Sequence, residues 1–478
     1  MQETGRLRPE ILVTNDLPSP QECDLISGSL IPSHLERYLA LGAEVDRAEA
    51  ALAAVQHKRR AEYKHLCAHK AALSPMRRMV PDVLLEIFHH CHSQSLEAPM
   101  RLGGVCRKWR ELVLSTPTLW THVSLHDTMP HHMLVPFARS CALYSGSSPI
   151  KVVLRFVHFR RHSILERALS EALEILAHHI HRWQAFEASM DSHSMRVASL
   201  TIPDNGPLVE RLVLTNHPHP TSLLFSSLPR LRYLRVMPGI VPQDIPLLLR
   251  STQLRSLRIG GMAGSGVTLM DCWTILSNCL EIEVFEIGVI KLDLTVRPKE
   301  EITLSRLRKL RLGPHLPDPA PLIQCIKTPV LQELRLIGTR SIDSDCVRRL
   351  VQECRPPLTS LCLANMDGGG VADCLLFLPD LRILTLQNTS AMDAVITRLT
   401  DKDSDGRFVC SKLVHLGLRM CSFTGSLLLR LASVRPRAPG GLRFFVERQS
   451  PYNFEGLTIE LSLVGELTSS ELEELYSM

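Results

Sequence analysis

The side chains in this sequence that are best suited to binding chemistry are arginines that recur at one place in a repeated pattern. They occupy the fifth position of LRYLRV, LRSLRI, LRKLRL and LQELRL, as Arg235, Arg258, Arg311 and Arg335. A guanidinium group can hold a carboxylate or a phosphate through two parallel hydrogen bonds. If the fold brings these arginines side by side, they would form a surface for an acidic or phosphorylated peptide.

Other groups of potentially reactive residues lack the spacing that their chemistry requires. HLCAH (65–69) and HHCH (89–92) contain metal-binding residue types, but zinc needs about four converging ligands and no second pair is placed for either segment. GGMAGSG (260–266) lacks the ending of a phosphate-binding loop. No spacing suggests a catalytic Ser-His-Asp or Cys-His group. We therefore expect no metal, no cofactor and no enzymatic activity.

The arginines belong to a repeat that fills the second half of the chain. Nine segments fit the pattern apolar-x-x-apolar-x-apolar, beginning at residues 209, 231, 254, 282, 307, 331, 358, 381 and 413. LRFFVE at 442–447 adds a degenerate unit. Intervals of this length resemble those of leucine-rich repeats, in which each unit is a strand followed by a helix or turn. Because one unit cannot bury its apolar face alone, we predict an α/β solenoid with a parallel sheet over 201–450.

The same pattern predicts which side chains are exposed. In a strand the side chains alternate between faces, so the fourth and sixth positions point inward and the third and fifth point outward. Strands about 4.8 Å apart would then align the fifth positions into a row. The candidate substrate-binding residues are Arg235, Arg258, Lys309, Arg311 and Arg335. The alternative is that arginine only keeps a repeat surface soluble.

One departure from leucine-rich repeats affects the expected regularity of the solenoid. The usual pattern places Asn or Cys three residues after the last apolar position. Among the eight cores from residue 231 onward, only Cys421 follows this rule. We therefore expect no buried asparagine ladder.

The N-terminal third of the chain differs in composition from the repeats. Residues 1–33 contain four prolines and no periodicity, which predicts a disordered tail. Residues 34–73 are rich in alanine and other strong helix formers, which predicts one long helix. Its apolar residues follow heptad spacing, but Arg59, Glu62 and His69 interrupt the seam. A self-associating coiled coil and a helix that packs on its own chain both remain open.

Residues 74–122 form a compact group of predicted helices. In VPDVLLEIFHHC, Pro81 and Asp82 suit the first turn of a helix. APMRLGGVCRKWRELVLSTPTLW follows, again with apolar residues at helical spacing. These residues are numerous enough to form a small core and a docking face, and spacing alone does not divide them between the two.

This segment resembles an F-box. The matching positions are Val80-Pro81, Leu84-Leu85, Ile87-Phe88, Val105-Cys106, Trp109 and Leu119-Trp120. The long helix that runs into it resembles F-box proteins of fungi in particular, and an F-box followed by leucine-rich repeats is a known pairing. In that family the F-box binds a Skp-type adaptor, which connects to a cullin and a RING module. The resemblance implies these adaptor-binding residues: Pro81, Leu84, Leu85, Ile87, Phe88, Val105, Cys106, Trp109 and Trp120.

The resemblance implies a non-enzymatic substrate receptor of a Skp–cullin–F-box ubiquitin ligase, with the repeats holding an unidentified target protein. A scaffold or regulatory protein acting outside a ligase is the alternative, and a repeat protein that regulates a small GTPase is a weaker one. Residues 123–200 are expected to be transitional, with the first irregular repeats, and 451–478 to be a C-terminal cap or tail.

Bulk properties narrow the partners and the compartment. A net charge of +5 over 478 residues does not favour nucleic-acid binding. No apolar run approaches the ~20 residues of a membrane span. The 14 cysteines form no CxxC motif, and the first residues lack the apolar core of a signal peptide. We therefore expect reduced thiols and a cytoplasmic or nuclear protein without a membrane partner.

Overall fold

The computed structural model describes residues 8–13, 15–157, 163–215, 225–237, 252–260, 267–289, 300–316, 319–402, 406–435, 443–447 and 459–461. The chain divides into two compact units, Met1–Leu84 and Leu85–Met478. The predicted α/β class is confirmed, because N-terminal helices are followed by a long, almost entirely parallel sheet.

The first unit begins with short helical segments where a disordered tail is predicted. A 3-10 turn covers Pro9–Leu12, and helix α1 (Pro20–Leu25) continues into a π-helical turn at Ile26–Leu30. The Ser19 hydroxyl accepts a hydrogen bond from the Glu22 amide, while the Glu22 carboxylate accepts one from the Ser19 amide. This reciprocal cap, with Arg8 bound to the Glu22 carboxylate at 2.9 Å, orders the start of α1. The prediction of disorder is wrong for these segments.

Helix α2 runs over Ile31–Ala72, where the sequence predicts a helix over 34–73. None of its side chains is buried, and apolar residues of the heptad seam such as Leu52 and Val55 are more than half exposed. The helix ends shortly before Pro75, because proline supplies no amide hydrogen and disfavours helix in the preceding residue. The coiled coil stays a prediction.

A helical group connects α2 to the sheet. A 3-10 turn at Pro75–Arg77 precedes three α-helices and a second 3-10 turn: α3 (Pro81–Gln94), α4 (Ala98–Gly103), α5 (Arg107–Leu114) and Pro117–Trp120. Helix α3 crosses from the first unit into the second, because the boundary falls after Leu84. The sheet then begins directly with strand β1 (His122–His126), of which only His122 lies within the segment predicted to be all-helical.

One sheet dominates the second unit. Its strands, in chain order apart from β8 and β10, are β1, β2 (Ile150–Phe156), β3 (Trp183–Met190), β4 (Arg211–Thr215), β5 (Tyr233–Val236), β6 (Ser256–Ile259), β7 (Val284–Val289), β9 (Lys309–Leu316), β11 (Glu333–Ile342), β12 (Ser360–Met366), β13 (Ile383–Gln387), β14 (His415–Arg419), β15 (Arg443–Glu447) and β16 (Ile459–Leu461). Neighbouring strands are parallel except β15 and β16. Strands β8 (Ile302–Thr303) and β10 (Ile326–Lys327) form a separate parallel pair.

Helices alternate with many of these strands, as a solenoid-like repeat requires. They are α6 (His131–Tyr144), α7 (Ser163–Ala177), α8 (Ser192–Thr201), α9 (Leu269–Asn278), α10 (Ala320–Ile323), α11 (Ser344–Cys354), α12 (Gly368–Leu375), α13 (Met392–Thr400) and α14 (Gly425–Val434). Several begin at a side-chain cap: Asp191 for α8, Thr268 for α9 and Asp343 for α11. A further 3-10 turn covers Ile180–Arg182.

The core follows the predicted alternation. Each of the nine repeat cores, and the degenerate tenth, coincides with a strand from β4 to β15. From β4 to β14 the first, fourth and sixth positions are buried; in β6, for example, these are Leu254, Leu257 and Ile259. The segment predicted as transitional, 123–200, contributes β2 and β3 with helices α6, α7 and α8. Of the segment 451–478, only Ile459–Leu461 lies within the described residues.

Two asparagines link neighbouring repeats, but Asn365 is half-buried and Asn388 is exposed, so they are not a buried ladder. The Asn365 side-chain amide donates to the Gly338 carbonyl, and the Asn388 amide donates to the Asn365 side-chain oxygen. Both asparagines have left-handed backbone, with φ of 56° and 47°, which asparagine tolerates better than most residues. They stand two residues after the last apolar position, one residue earlier than in the usual leucine-rich repeat pattern. Cys421 does act as expected, its thiol donating to the Leu386 carbonyl at 3.5 Å.

Candidate functional site

Helix α3 separates its apolar side chains into buried and accessible sets. Leu84 and Phe88 are completely buried, and residues four apart lie on one face of a helix. Leu85 and Ile87 are half-buried, and Pro81 is exposed. The helix therefore keeps apolar surface accessible after its core face is satisfied.

Two tryptophans anchor the helices that follow. The Trp109 ring in α5 meets the Phe88 ring edge to face, with centroids 4.9 Å apart, an arrangement favoured by the ring quadrupoles. Trp120 is 2% exposed, and its indole N–H donates to the Val113 carbonyl at 2.8 Å. Its ring also packs on Tyr144 of α6, with centroids 5.2 Å apart. Trp120 thus ties the 3-10 turn to α5 and α6.

The residues between α4 and α5 lie on the surface. Val105 is 61% exposed and Cys106, the residue before α5, is also exposed. The arginine that closes this turn, Arg110, donates from Nε to the Gly103 carbonyl at 2.9 Å. An exposed valine on a turn held in this way suits a contact with a partner protein.

The predicted adaptor-binding residues therefore fall into two groups. Leu84, Phe88 and Trp120 have no appreciable exposed surface, so the expectation that they touch an adaptor directly is corrected: they are core residues. The accessible residues are Pro81 in the first unit and Leu85, Ile87, Val105, Cys106 and Trp109 in the second. Sequence spacing missed this division on α3 because its buried and accessible residues are both apolar and lie within one helix.

Two histidines pair between α3 and β1, where His92 is buried and His122 is half-buried. The rings of His92 and His122 meet edge to face, with centroids 6.2 Å apart. Burial lowers the pKa of His122 to about 4, helped by the positive charges of Lys151 and Arg155 and opposed by Glu187. Burial also lowers the pKa of His92, helped by His89. Both rings are therefore neutral near pH 7, and HHCH contributes to packing.

The exposed face of the sheet carries the arginines in one row. Parallel register places Arg235 opposite Arg258, Arg258 opposite Glu286, Glu286 opposite Arg311, and Arg311 opposite Arg335. This is the order predicted from the fifth repeat positions. We call these five side chains the arginine row.

Carboxylates neutralise part of the arginine row. The Glu286 carboxylate lies 3.8 Å from Nε of Arg258 and 3.6 Å from a terminal nitrogen of Arg311. The Glu333 carboxylate accepts a 2.6 Å hydrogen bond from Nε of Arg311 and pairs with Lys309 at 3.4 Å. Lys309, a predicted substrate-binding residue, is thus already paired and lies beside the row.

A pocket opens beside the arginine row at the carboxyl ends of β5 to β11. It has a volume of about 340 Å³ and is lined by the five side chains of the row. Gly260, Gly288 and Gly313 also line it, with Met237 and Ile337 at the sides. These five residues are the seventh positions of consecutive repeats, on the same face as the arginines. Glycine at three neighbouring seventh positions leaves the space, and sequence reasoning missed it because only six positions were compared.

One of these glycines is required by the backbone. Gly313 has a φ of 130°, a conformation that L side chains rarely adopt, and an added Cβ would collide with the Ile337 carbonyl oxygen. Close approach of β9 and β11 therefore depends on glycine at this position. The pocket floor is consequently made of backbone.

Two buried thiols of the second unit offer little reactivity. Burial raises the pKa of Cys374 and of Cys410 to about 12, which keeps both protonated near neutral pH.

In the described part of the chain, no group of three or more His, Cys, Asp or Glu residues is arranged to hold a metal ion. Within the same residues, no helix is both long and apolar enough to cross a membrane.

Comparison with known proteins identifies one part of the chain. The F-box-like family matches residues 81–126, which extend from the start of α3 to the end of β1. This match supports an F-box protein and covers the residues on which the F-box resemblance was based, apart from Val80. No curated protein matches the chain.

Proposed function

We propose that this protein is the target-binding subunit of a Skp–cullin–F-box ubiquitin ligase. The observation that carries the proposal is the F-box-like match at residues 81–126. F-box-like domains suggest an adaptor role in ubiquitin ligases, typically without enzymatic activity of their own. The sheet beyond the match then serves as the target-binding part.

The accessible apolar residues of the helical group support adaptor docking. In the second unit, Val105 and Cys106 are exposed while Leu85, Ile87 and Trp109 are half-buried. Protein interfaces take most of their binding energy from a few apolar and aromatic residues on a rigid support. The Phe88–Trp109 contact supplies that rigidity by fixing α5 against α3.

The arginine row supports target binding on the sheet. Its four guanidinium groups face one carboxylate within the pocket, so the surface carries excess positive charge. Positive charge of this kind attracts acidic segments and speeds their association. Targets with acidic or phosphorylated segments fit this surface best.

Co-purification with a cullin tests the proposal. The full chain is tagged and purified from cells of the organism that naturally produces it, and the associated proteins are identified by mass spectrometry. Recovery of both a Skp-type adaptor and a cullin is expected. Adaptor without cullin would favour the alternative, a scaffold that works with the adaptor outside a ligase, and recovery of neither would refute both.

Charge removal tests the role of the sheet. The double variant Arg258→Gln, Arg311→Gln is expected to lose captured targets while it keeps the adaptor. Glutamine is preferred to glutamate because Glu286 and Glu333 already lie beside Arg311. The matched control is Arg211→Gln, an arginine on the same face that is paired with Glu187. Unchanged target capture by the double variant would contradict the proposed role.

A further inference from the structure

We propose that the pocket beside the arginine row binds a phosphate monoester on a target polypeptide, centred between Arg235 and Arg258. This inference rests on the proposed function, since it assigns a ligand class to the target-binding surface. It commits to a dianionic phosphate in preference to a carboxylate. Four properties of the pocket lead to it.

The first property is an unbalanced pair of like charges. Arg235 and Arg258 are direct partners in the parallel register of β5 and β6. Side chains opposite each other on neighbouring strands are close enough that like charges repel. No ion pair joins Arg235 to a carboxylate among the described residues, and the Glu286 carboxylate stands on the far side of Arg258. An anion between the two guanidinium groups would relieve the repulsion.

The second property is a donor without an acceptor. Nε of Arg258 is inaccessible to solvent and makes no hydrogen bond among the described residues. The nearest carboxylate oxygen, on Glu286, is 3.8 Å away and therefore too distant for a hydrogen bond. A buried donor left unpaired costs free energy. A rotation of the Arg258 side chain into the pocket would expose this nitrogen, and a ligand oxygen there would then satisfy it.

The third property is the shape of the pocket. Its volume is about 340 Å³, which suits one phosphorylated side chain rather than a folded surface. The glycine floor at 260, 288 and 313 lets a ligand descend to the level of the strand backbone. Met237 and Ile337 give apolar sides that would contact the carbon atoms of the phosphorylated residue.

The fourth property is the charge already present. Glu286 supplies one carboxylate to the pocket and is close to both Arg258 and Arg311. Arg311 is further neutralised by Glu333. Arg335 has no ion pair among the described residues either, but its neighbour Arg311 is already neutralised. Two incompletely balanced guanidinium groups therefore lie side by side at Arg235 and Arg258. A phosphate monoester has about two negative charges and three acceptor oxygens, whereas a carboxylate has one charge and two oxygens. Two guanidinium groups therefore match the phosphate better.

Paired peptides test the assignment. The probes are two fluorescent peptides of glycine and alanine that are identical except for a central phosphoserine or glutamate. Their binding to the full chain in complex with its adaptor is measured by fluorescence anisotropy. The phosphoserine peptide is expected to bind, and the glutamate peptide to bind at least about tenfold more weakly.

Substitutions in the pocket locate the binding. Arg235→Gln and Arg258→Gln should each weaken phosphopeptide binding about tenfold. Gly288→Val should do the same by filling the pocket without a change of charge, because Gly288 lies within strand β7, where valine is a favourable residue. Glu286→Gln should tighten binding by removing the competing carboxylate. The control Arg211→Gln, outside the pocket, should leave binding unchanged.

Three outcomes would overturn the inference: no binding of the phosphopeptide, equal binding of the glutamate peptide, or undiminished binding by Gly288→Val. The adaptor bound to each preparation is quantified in parallel. Loss of adaptor with intact phosphopeptide binding would refute the proposed ligase role alone. Intact adaptor with no phosphopeptide binding would refute the phosphate site alone.

Discussion

Phe88 and Trp109 meet edge to face, with their ring centroids 4.9 Å apart, and so join helix α3 to helix α5. Phe88 has no exposed surface, while Trp109 is only half-buried. The contact therefore belongs to the core on one side and reaches the surface on the other. Substitutions of buried residues such as Phe88 and of exposed residues such as Val105 can consequently test the core role and the docking role separately.

Truncation of Phe88 tests the core side. Phe88→Ala is expected to reduce the free energy of unfolding by about 3–5 kcal/mol, because it leaves a cavity against Trp109. Urea denaturation followed by tryptophan fluorescence measures the change. Leu143→Ala, at a position that is 67% exposed, is the control and should change stability by less than about 0.5 kcal/mol. Equal effects of the two variants would show that Phe88 is not a core residue.

A charge on the exposed side tests docking. Val105→Glu is expected to reduce affinity for a Skp-type adaptor by at least about tenfold, since a carboxylate would be desolvated in an apolar interface. Pull-down or calorimetry with purified adaptor measures this. Leu143→Glu places the same charge on another exposed apolar residue of the second unit and should bind normally. Normal adaptor binding by Val105→Glu would place the docking face elsewhere.

The histidine pair predicts a loss of stability in acid. The folded pKa of His122 is about 4 and that of His92 also lies below the ordinary 6.5. The unfolded chain therefore binds more protons, and the free energy of unfolding should fall as the pH drops from 6.5 towards 4. Thermal melts at several pH values of the wild type and His122→Gln measure the slope. Stability should fall less steeply with pH in His122→Gln than in the wild type. The control His90→Gln, at an exposed position, should keep the wild-type slope. Identical slopes for all three proteins would exclude the histidine pair as the cause.

Removal of the Arg435 guanidinium group should destabilise the fold in repeats that belong to neither candidate site. Arg435 is 9% exposed, and its guanidinium group donates to the carbonyls of Leu399 and Cys410 at 2.9–3.1 Å. Arg435→Met would leave these carbonyls unpaired and should cost about 3 kcal/mol of stability. Arg430→Met, at an exposed position of helix α14, is the matched control for chemical denaturation. A cost below about 1 kcal/mol would mean that water replaces the lost donors.

Local pattern was sufficient to predict the architecture of the repeats. The spacing of Leu231, Leu234 and Val236, repeated along the chain, predicted strands, their parallel stacking and the buried face. It also predicted that Arg235 and Arg258 would be neighbours, because a slip of one residue would turn the apolar positions to solvent. The same reasoning predicted helices near Pro81 and Trp109, where proline and apolar spacing act within one turn.

Tertiary structure decided the features that depend on contacts between distant residues. Leu84 and Leu85 are adjacent and chemically alike, yet only Leu84 is fully buried. The Asn365–Asn388 hydrogen bond and the Glu286 ion pairs join side chains from different repeats. The pocket exists because glycines from three repeats lie side by side. A sequence pattern states which face a side chain occupies, but its neighbours across strands set its burial, its charge balance and the space beside it.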